Sequence, residues 1–151
     1  MAQKFTFELQ AVLDQRRRDE QRAQAALAAI QHERLEVERE LAELRRAVEA
    51  ERDVTRGLMF GHVSPASLRE HVAGELGADR RARALAVRLA GVQKRIDAAR
   101  EVLRRTSVQH EAIKGLRERR LRAWMQELEK AERLEVDDLM VMRRGHTGAE
   151  D

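Results

Sequence analysis

The chain has 151 residues, of which 38% are charged, 42% are hydrophobic and only 3% are aromatic. This composition excludes a thick apolar core but is too apolar for a disordered tail; a coiled coil satisfies both conditions, because each helix buries one narrow stripe. The 30 basic and 27 acidic residues are interleaved, so the net charge of +3 does not indicate a dedicated nucleic-acid groove. The lack of cysteine excludes disulfides, thiolate nucleophiles and cysteine-based zinc sites.

The first predicted element is one long helix over about residues 5–57, since no proline or glycine occurs before Gly57. From residue 9 onward, a stripe of residues at alternating spacings of four and three predicts a coiled-coil seam. The stripe is mostly apolar in its middle part, but charged side chains interrupt it at Arg16, Glu20 and Arg34. Its members are Leu9, Leu13, Arg16, Glu20, Ala23, Leu27, Ile30, Arg34, Val37, Leu41, Leu44, Val48, Glu51, Thr55 and Leu58.

Residues 57–65 form a predicted hinge, because this stretch holds the single proline and two of the eight glycines. Ser64 and Pro65 suit the N-cap and the first position of a following helix. A short helix is predicted over about residues 65–76, with a break near Gly77 before the next helix starts. One continuous helix from residue 65 is the alternative.

The last predicted helix covers about residues 79–142 and repeats the spacing of the first. Gly91 and Gly115 lie inside it and each costs about 1 kcal/mol relative to alanine, so they reflect either close approach of the partner helix or plain tolerance. Residues 145–151 have no periodicity and are predicted to form a flexible tail. The stripe contains Leu85, Leu89, Val92, Ile96, Ala99, Leu103, Thr106, His110 and Ile113, then slips and resumes at Leu121, Trp124, Leu128, Ala131 and Leu134.

These elements predict an all-α fold: a long antiparallel two-helix coiled-coil hairpin over residues 1–144, with a short extra helix near the hinge. Antiparallel pairing would bring the two chain ends together. Both ends carry more apolar surface than one helical pair can cover, so we expect an arginine-flanked apolar end that binds a partner. The apolar residues are Phe5, Phe7, Leu9, Val12, Leu13, Leu139, Met140, Val141 and Met142.

No residue pattern indicates catalysis, a cofactor or a metal. The phosphate-loop, dinucleotide-binding, serine-hydrolase and zinc-protease motifs do not occur. The five histidines never fall three or four residues apart, the spacing that would place two metal ligands on one helix face. We therefore interpret His110 as a partly buried polar residue of the seam, and Trp124 either as seam packing or as an interface anchor.

No apolar run fits a signal peptide or a membrane span, so we expect a soluble intracellular protein without membrane insertion. The arginine clusters have acidic neighbours within a few residues and no interleaved aromatic residues, which favours solvated faces over nucleic-acid contacts. A generic coiled-coil scaffold and a basic nucleic-acid-binding coiled coil are the alternatives to a specific partner-binding protein.

Both ends of the sequence carry a recognisable pattern. The opening run is Lys4-Phe5-Thr6-Phe7-Glu8-Leu9-Gln10-Ala11-Val12-Leu13-Asp14-Gln15-Arg16-Arg17, followed by Glu20 and Ala23. The closing run is Leu116-Arg117-Glu118-Arg119-Arg120, continuing through Glu127, Glu132 and Asp137-Asp138-Leu139 to Arg143-Arg144. In order and spacing, these runs resemble the FliJ family of flagellar export proteins.

The resemblance implies a non-enzymatic stalk in the cytoplasm, held at the inner membrane through the export apparatus. Its implied partners are the flagellar export ATPase, the export gate membrane protein and export chaperones, with no nucleic acid and no cofactor. The implied ATPase-ring contacts are Phe5, Phe7, Leu9, Leu13, Arg16, Arg17, Leu139, Met142, Arg143 and Arg144. The implied gate contacts are Val72, Leu76, Met59 and Phe60, although His71 stands where the family pattern leads us to expect an aromatic residue. Use in an injectisome instead of a flagellum is the alternative.

Overall fold

The computed structural model describes residues 4–58, 60–61 and 64–147, with side chains described throughout these ranges except at residues 58 and 143–147. Two helices account for nearly all of this: α1, Gln10–Leu58, and α2, Pro65–Thr147. They pack against each other as a hairpin, and the described residues contain no strand. The predicted all-α hairpin is therefore confirmed. Neither described helix has a stretch that is both long and apolar enough to cross a membrane.

The chain enters α1 through a non-helical segment, residues 4–9, where the sequence predicted helix from about residue 5. A turn precedes the helix, and the backbone amide of Gln10 donates to the carbonyl of Phe7 at 3.0 Å. Phe5 and Phe7 both face α2. In a helix, two residues two positions apart point in nearly opposite directions, whereas in an extended chain they point to the same side. Contact of both rings with α2 thus requires the non-helical start.

The hinge region starts α2 as predicted. The Ser64 hydroxyl accepts a hydrogen bond from the backbone amide of Ser67 at 3.1 Å, which makes Ser64 the N-cap and Pro65 the first helical residue. Gly57 lies within the last turn of α1, which ends one residue later, and its backbone is not in the left-handed region.

The short helix expected over residues 65–76 is not a separate element, because α2 runs without a break past Gly77. Glycine costs only about 1 kcal/mol in a helix interior, and it does not remove a backbone hydrogen-bond donor as proline would. Continuous packing of α2 can therefore override that cost. The helix also extends through the first three residues of the expected tail, to Thr147; residues 148–151 lie outside the described residues.

Contacts divide the chain into two compact units: Met1–Glu20 with Thr106–Asp151, and Gln21–Arg105. The second unit contains the best-buried part of the seam. Val37 and Ile96 are completely buried, and Val92 is 2% exposed. All three lie on the predicted stripes, so the spacing of four and three residues identified the core of this unit correctly.

Ion pairs flank this core and show its antiparallel register. Glu33 pairs with Arg95 at 2.7 Å, Glu40 with Arg88 at 3.4 Å, and Arg52 of α1 with Glu75 at 3.1 Å. As the residue number on α1 increases from 33 to 52, the number of its partner on α2 decreases from 95 to 75, which is the order of an antiparallel pair. The members of each pair are 30–57% exposed, so they contribute more to register than to stability.

Gly91 provides a prediction about stability. A Cβ atom at this exposed position would have nothing within 4 Å, so close approach of α1 does not require the glycine. Gly91→Ala is expected to raise the free energy of unfolding by about 0.5–1 kcal/mol, since alanine loses less backbone entropy in a helix. Urea denaturation followed by circular dichroism measures the change.

Gly74→Ala is the matched control for that experiment. A Cβ atom there would lie 3.2 Å from a carboxylate oxygen of Glu51, so the gain should be smaller. A Gly91→Ala chain that is less stable than the wild type would contradict the assignment of open space at this position.

Candidate partner-binding end

The unit that contains both chain ends is closed by four side chains, which we call the terminal clamp: Phe5, Phe7, Arg120 and Trp124. The ring centroids of Phe5 and Trp124 lie 5.9 Å apart at an interplanar angle of 55°, a favourable tilted arrangement. The Arg120 guanidinium carbon lies 5.9 Å from the Phe7 ring centroid, and Phe7 is only 6% exposed. The clamp therefore fastens the non-helical start of the chain onto α2. Trp124 packs within the hairpin, which agrees with the first of its two interpretations, seam packing.

A polar layer replaces apolar packing deeper in the same unit; its members are Glu20, Ser107 and His110. The Ser107 hydroxyl donates to one carboxylate oxygen of Glu20 at 2.6 Å, and Nδ1 of His110 lies 2.6 Å from the other. The side chains of Glu20 and His110 are only 19% and 17% exposed. These contacts explain why the seam tolerates Glu20, and they confirm His110 as a partly buried polar member of it.

The hydrogen bonds from Ser107 and then from His110 hold the pKa of the Glu20 carboxyl below its ordinary value of 4.5. A lowered pKa in the folded state means that the ionised carboxylate stabilises the fold at pH values above 4.5 and that this contribution is lost as the pH falls through the folded pKa. The polar layer is thus a stabilising contact at neutral pH that acid removes.

Glu20→Gln is therefore expected to lower the free energy of unfolding by about 1–2 kcal/mol at pH 7, because charge-assisted hydrogen bonds are lost. The difference between variant and wild type should shrink as the pH falls below 4.5. Urea titrations at a series of pH values measure both effects. Glu36→Gln is the control, because its ion pair with His32 is exposed, and it should change little.

Beyond the clamp, α2 continues without a partner from α1. We call residues 129–142 the α2 end; every one of their side chains is exposed, whereas Leu128 just before them is partly covered. The exposed apolar side chains of this segment are Leu134, Val136, Leu139, Met140, Val141 and Met142, at 50–73% exposure. A run of this kind on one helix is the type of surface that binds another protein.

The two chain ends do not form the single apolar surface that the sequence suggested. Phe5 and Phe7 contact α2 at Trp124 and Arg120, fifteen or more residues before Leu139, a separation of about 22 Å along a helix. Phe5 and Phe7 pack within the clamp, whereas Leu139 is 64% exposed. Because Phe5 and Phe7 pack on α2 at the clamp, most of the exposed apolar surface at this end lies on α2 beyond it, while Val12 of α1 is 39% exposed.

The remaining implied ring contacts differ in accessibility. Leu9, Leu13 and Arg16 are partly buried, and Arg16 donates to the Gln109 side-chain oxygen at 2.9 Å, whereas Arg17 is exposed. Arg143 and Arg144 belong to α2, but their side chains lie outside the described residues. Arg17, Leu139 and Met142 are therefore the described implied contacts that a partner could reach without disturbing the seam.

The α2 end and the helical turn before it form a strongly acidic surface. The sequence analysis did not identify this surface. Residues 127–138 contain six carboxylates but only Lys130 and Arg133 as cations. These cations pair with Glu127 at 3.3 Å and Glu129 at 3.9 Å. The signal was present in the sequence as an acidic run, but the run matters only because α1 does not cover this part of α2. An acidic exposed surface disfavours contact with nucleic-acid phosphates.

The implied gate contacts lie in the other unit. Val72 and Leu76 are 50% and 54% exposed, and Leu68, one turn earlier on the same face of α2, is 49% exposed. Phe60 is 96% exposed, and Met59 lies outside the described residues.

His71 points to α1, away from the exposed Leu68 face. Its Nε2 lies 2.7 Å from the Thr55 hydroxyl, and its Nδ1 lies 3.6 Å from a Glu51 carboxylate oxygen. His71 is therefore a cross-helix contact at the position where an aromatic contact residue was expected. Within the described part of the chain, no cluster of three acidic or histidine side chains is arranged to hold a metal ion.

Comparison with known proteins identifies one family. The family model described as "Flagellar FliJ protein" matches residues 5–148, almost the entire chain. A search of curated proteins and a search of solved structures each returned no match. The matched range includes the terminal clamp, the polar layer and the α2 end.

Proposed function

Because the chain belongs to the FliJ family and is a component of flagellar protein export, we propose that it is a non-enzymatic stalk whose α2 end binds the ring of the export ATPase. Binding there promotes assembly and activity of the ring. The paired helices couple the state of the ring to the export gate, and export chaperones are further partners. The protein works in the cytoplasm, at the inner face of the membrane that carries the export apparatus.

The exposure of the α2 end is the observation that carries this proposal. Four consecutive apolar residues, 139–142, are 58–73% exposed on a part of α2 that α1 does not cover. Burying each such side chain is worth about 1.5–3 kcal/mol, so a partner that covers them gains substantial affinity. Arg143 and Arg144 follow directly and supply cations for carboxylates of the ring.

The gate contact is proposed at the Leu68, Val72 and Leu76 face, together with Phe60 and Met59. Three exposed apolar residues at four-residue spacing form a narrow stripe on α2, and α1 does not cover it. A stripe of this width suits one edge of a partner surface more than a deep pocket.

The ATPase assignment is tested by mixing the purified protein with the export ATPase of the same bacterium. The wild type is expected to raise the rate of ATP turnover, and Arg143→Glu with Arg144→Glu is expected to weaken this effect, since the reversed charges repel the ring carboxylates. Arg80→Glu with Arg81→Glu is the matched control on an exposed part of α2 and should stimulate like the wild type. Absence of stimulation by the wild type would sink the proposal.

A further inference from the structure

The face of α2 that packs against α1 does not end where α1 ends. Leu121, Trp124 and Leu128 are partly buried on this face. At 100° per residue, the same face continues through Glu132, Glu135, Leu139 and Met142, all within about 40° of Leu128 around the helix. The seam of the hairpin is therefore prolonged on the α2 end, with two carboxylates followed by two apolar side chains.

The carboxylates on this prolonged seam have no cationic partner among the side chains that the structure describes. Neither Glu132 nor Glu135 forms an ion pair with a described side chain, since the nearby Lys130 and Arg133 pair with Glu127 and Glu129. Covering Glu132 and Glu135 with an apolar surface would bury two unpaired charges, which costs several kcal/mol. A partner that packs on this face must therefore supply positive charge.

We propose that the surface receiving the α2 end is a protein surface with two zones: basic side chains opposite Glu132 and Glu135, and an apolar patch opposite Leu139 and Met142. This inference rests on the proposed function and specifies the chemistry of the ATPase-ring surface. Arginine is the cation best suited to the basic zone, because its planar guanidinium pairs with a carboxylate through two hydrogen bonds.

A second copy of this chain is a poorer occupant of the same face. Two α2 ends brought together would each contribute the acidic run of residues 127–138, and like charges repel at close range. Their described cations are already paired within each chain. Two paired α2 ends therefore cannot supply the positive charge, which favours a different protein as the occupant.

The test uses two double variants. The first carries Glu132→Lys and Glu135→Lys, and the second, its control, carries Glu43→Lys and Glu49→Lys. Both double variants change the net charge equally, and all four residues are exposed. Calorimetric titration with the purified export ATPase is expected to show binding about tenfold or more weaker for the first variant and unchanged for the second. The affinity of a chain with Glu132→Gln and Glu135→Gln should lie between that of the wild type and that of the lysine double variant. Circular dichroism checks that each variant keeps its helices.

The outcomes separate this inference from the function on which it rests. Wild-type binding that the reversal at Glu132 and Glu135 leaves unchanged overturns the two-zone surface but not the ATPase assignment. Failure of the wild type to bind the ATPase overturns both. A wild-type dimer in analytical ultracentrifugation that the same reversal dissociates would make a second copy the occupant, which also overturns the inference.

Discussion

Replacing Ile96 by aspartate is expected to unfold the unit Gln21–Arg105. Ile96 is completely buried and shares the core with Val37, which is also completely buried. The new carboxylate would have no cation at this depth, and burying an unpaired charge costs several kcal/mol, comparable with the entire stability of a small domain. The expected result is loss of most of the helical circular dichroism signal of this unit at a temperature at which the wild type is folded.

Val87→Asp is the matched control, because Val87 lies on the same helix but is 73% exposed. It should change the free energy of unfolding by no more than about 0.5 kcal/mol. Ile96→Ala, which introduces no charge, should destabilise by about 2–5 kcal/mol. An Ile96→Asp chain as stable as the Val87→Asp chain would show that the seam is not the core of this unit.

The second large effect is functional: in a protein that remains folded, Leu139→Ser with Met142→Ser is expected to shift stimulation of the export ATPase to about hundredfold higher stalk concentration. These side chains are 64% and 73% exposed, so the fold does not depend on them. If the ring covers both, their loss removes about 3 kcal/mol or more of apolar contact, which corresponds to about hundredfold weaker binding. ATP turnover measured over a range of stalk concentrations gives the change.

Val87→Ser with Val108→Ser removes a comparable amount of exposed apolar surface from another part of α2, since these residues are 73% and 60% exposed. That variant should stimulate like the wild type. Equal loss of stimulation in both double variants would mean that general surface apolarity, and not the α2 end, governs the effect.

Periodicity predicted the paired part of the fold because one rule governs it. Val37, Val92 and Ile96 fall on stripes at spacings of four and three residues, and the structure buries all three. Ser64 was predictable for a similar reason, because an N-cap depends only on local chemistry. Features that depend on a few neighbouring residues or on one repeat are readable without knowledge of the other helix.

The misread features depend on contacts between distant residues. The start of α1 was missed because Phe5 and Phe7, two positions apart, both pack on α2, although their alternate spacing is itself a sign of extended chain. The polar layer was missed because Glu20 and His110 lie on different helices and meet only in the antiparallel register. The sequence signal for this layer is a pair of polar interruptions, one in each predicted stripe, that face each other once the chain reverses at the hinge.

The exposed apolar run on α2 could be predicted in part from the sequence. The apolar residues from Leu139 onward were identified from composition, but the length of α2 left uncovered depends on where α1 ends, which Phe5 and Trp124 determine together. If the point at which α1 stops covering α2 is unknown, Glu132 and Glu135 are indistinguishable from ordinary solvated acidic residues. The helical register places them on the prolonged seam, for which we propose a basic partner surface.

Site-specific cross-linking tests the central claim most directly, namely that the α2 end is the surface that binds the ATPase. A photoactivatable side chain is placed at Met140, which is 58% exposed, and in a separate chain at Val87. In the complex with the purified export ATPase, the account predicts a cross-link to the ATPase from position 140 and none from position 87. A cross-link from position 87 with none from position 140 would contradict it.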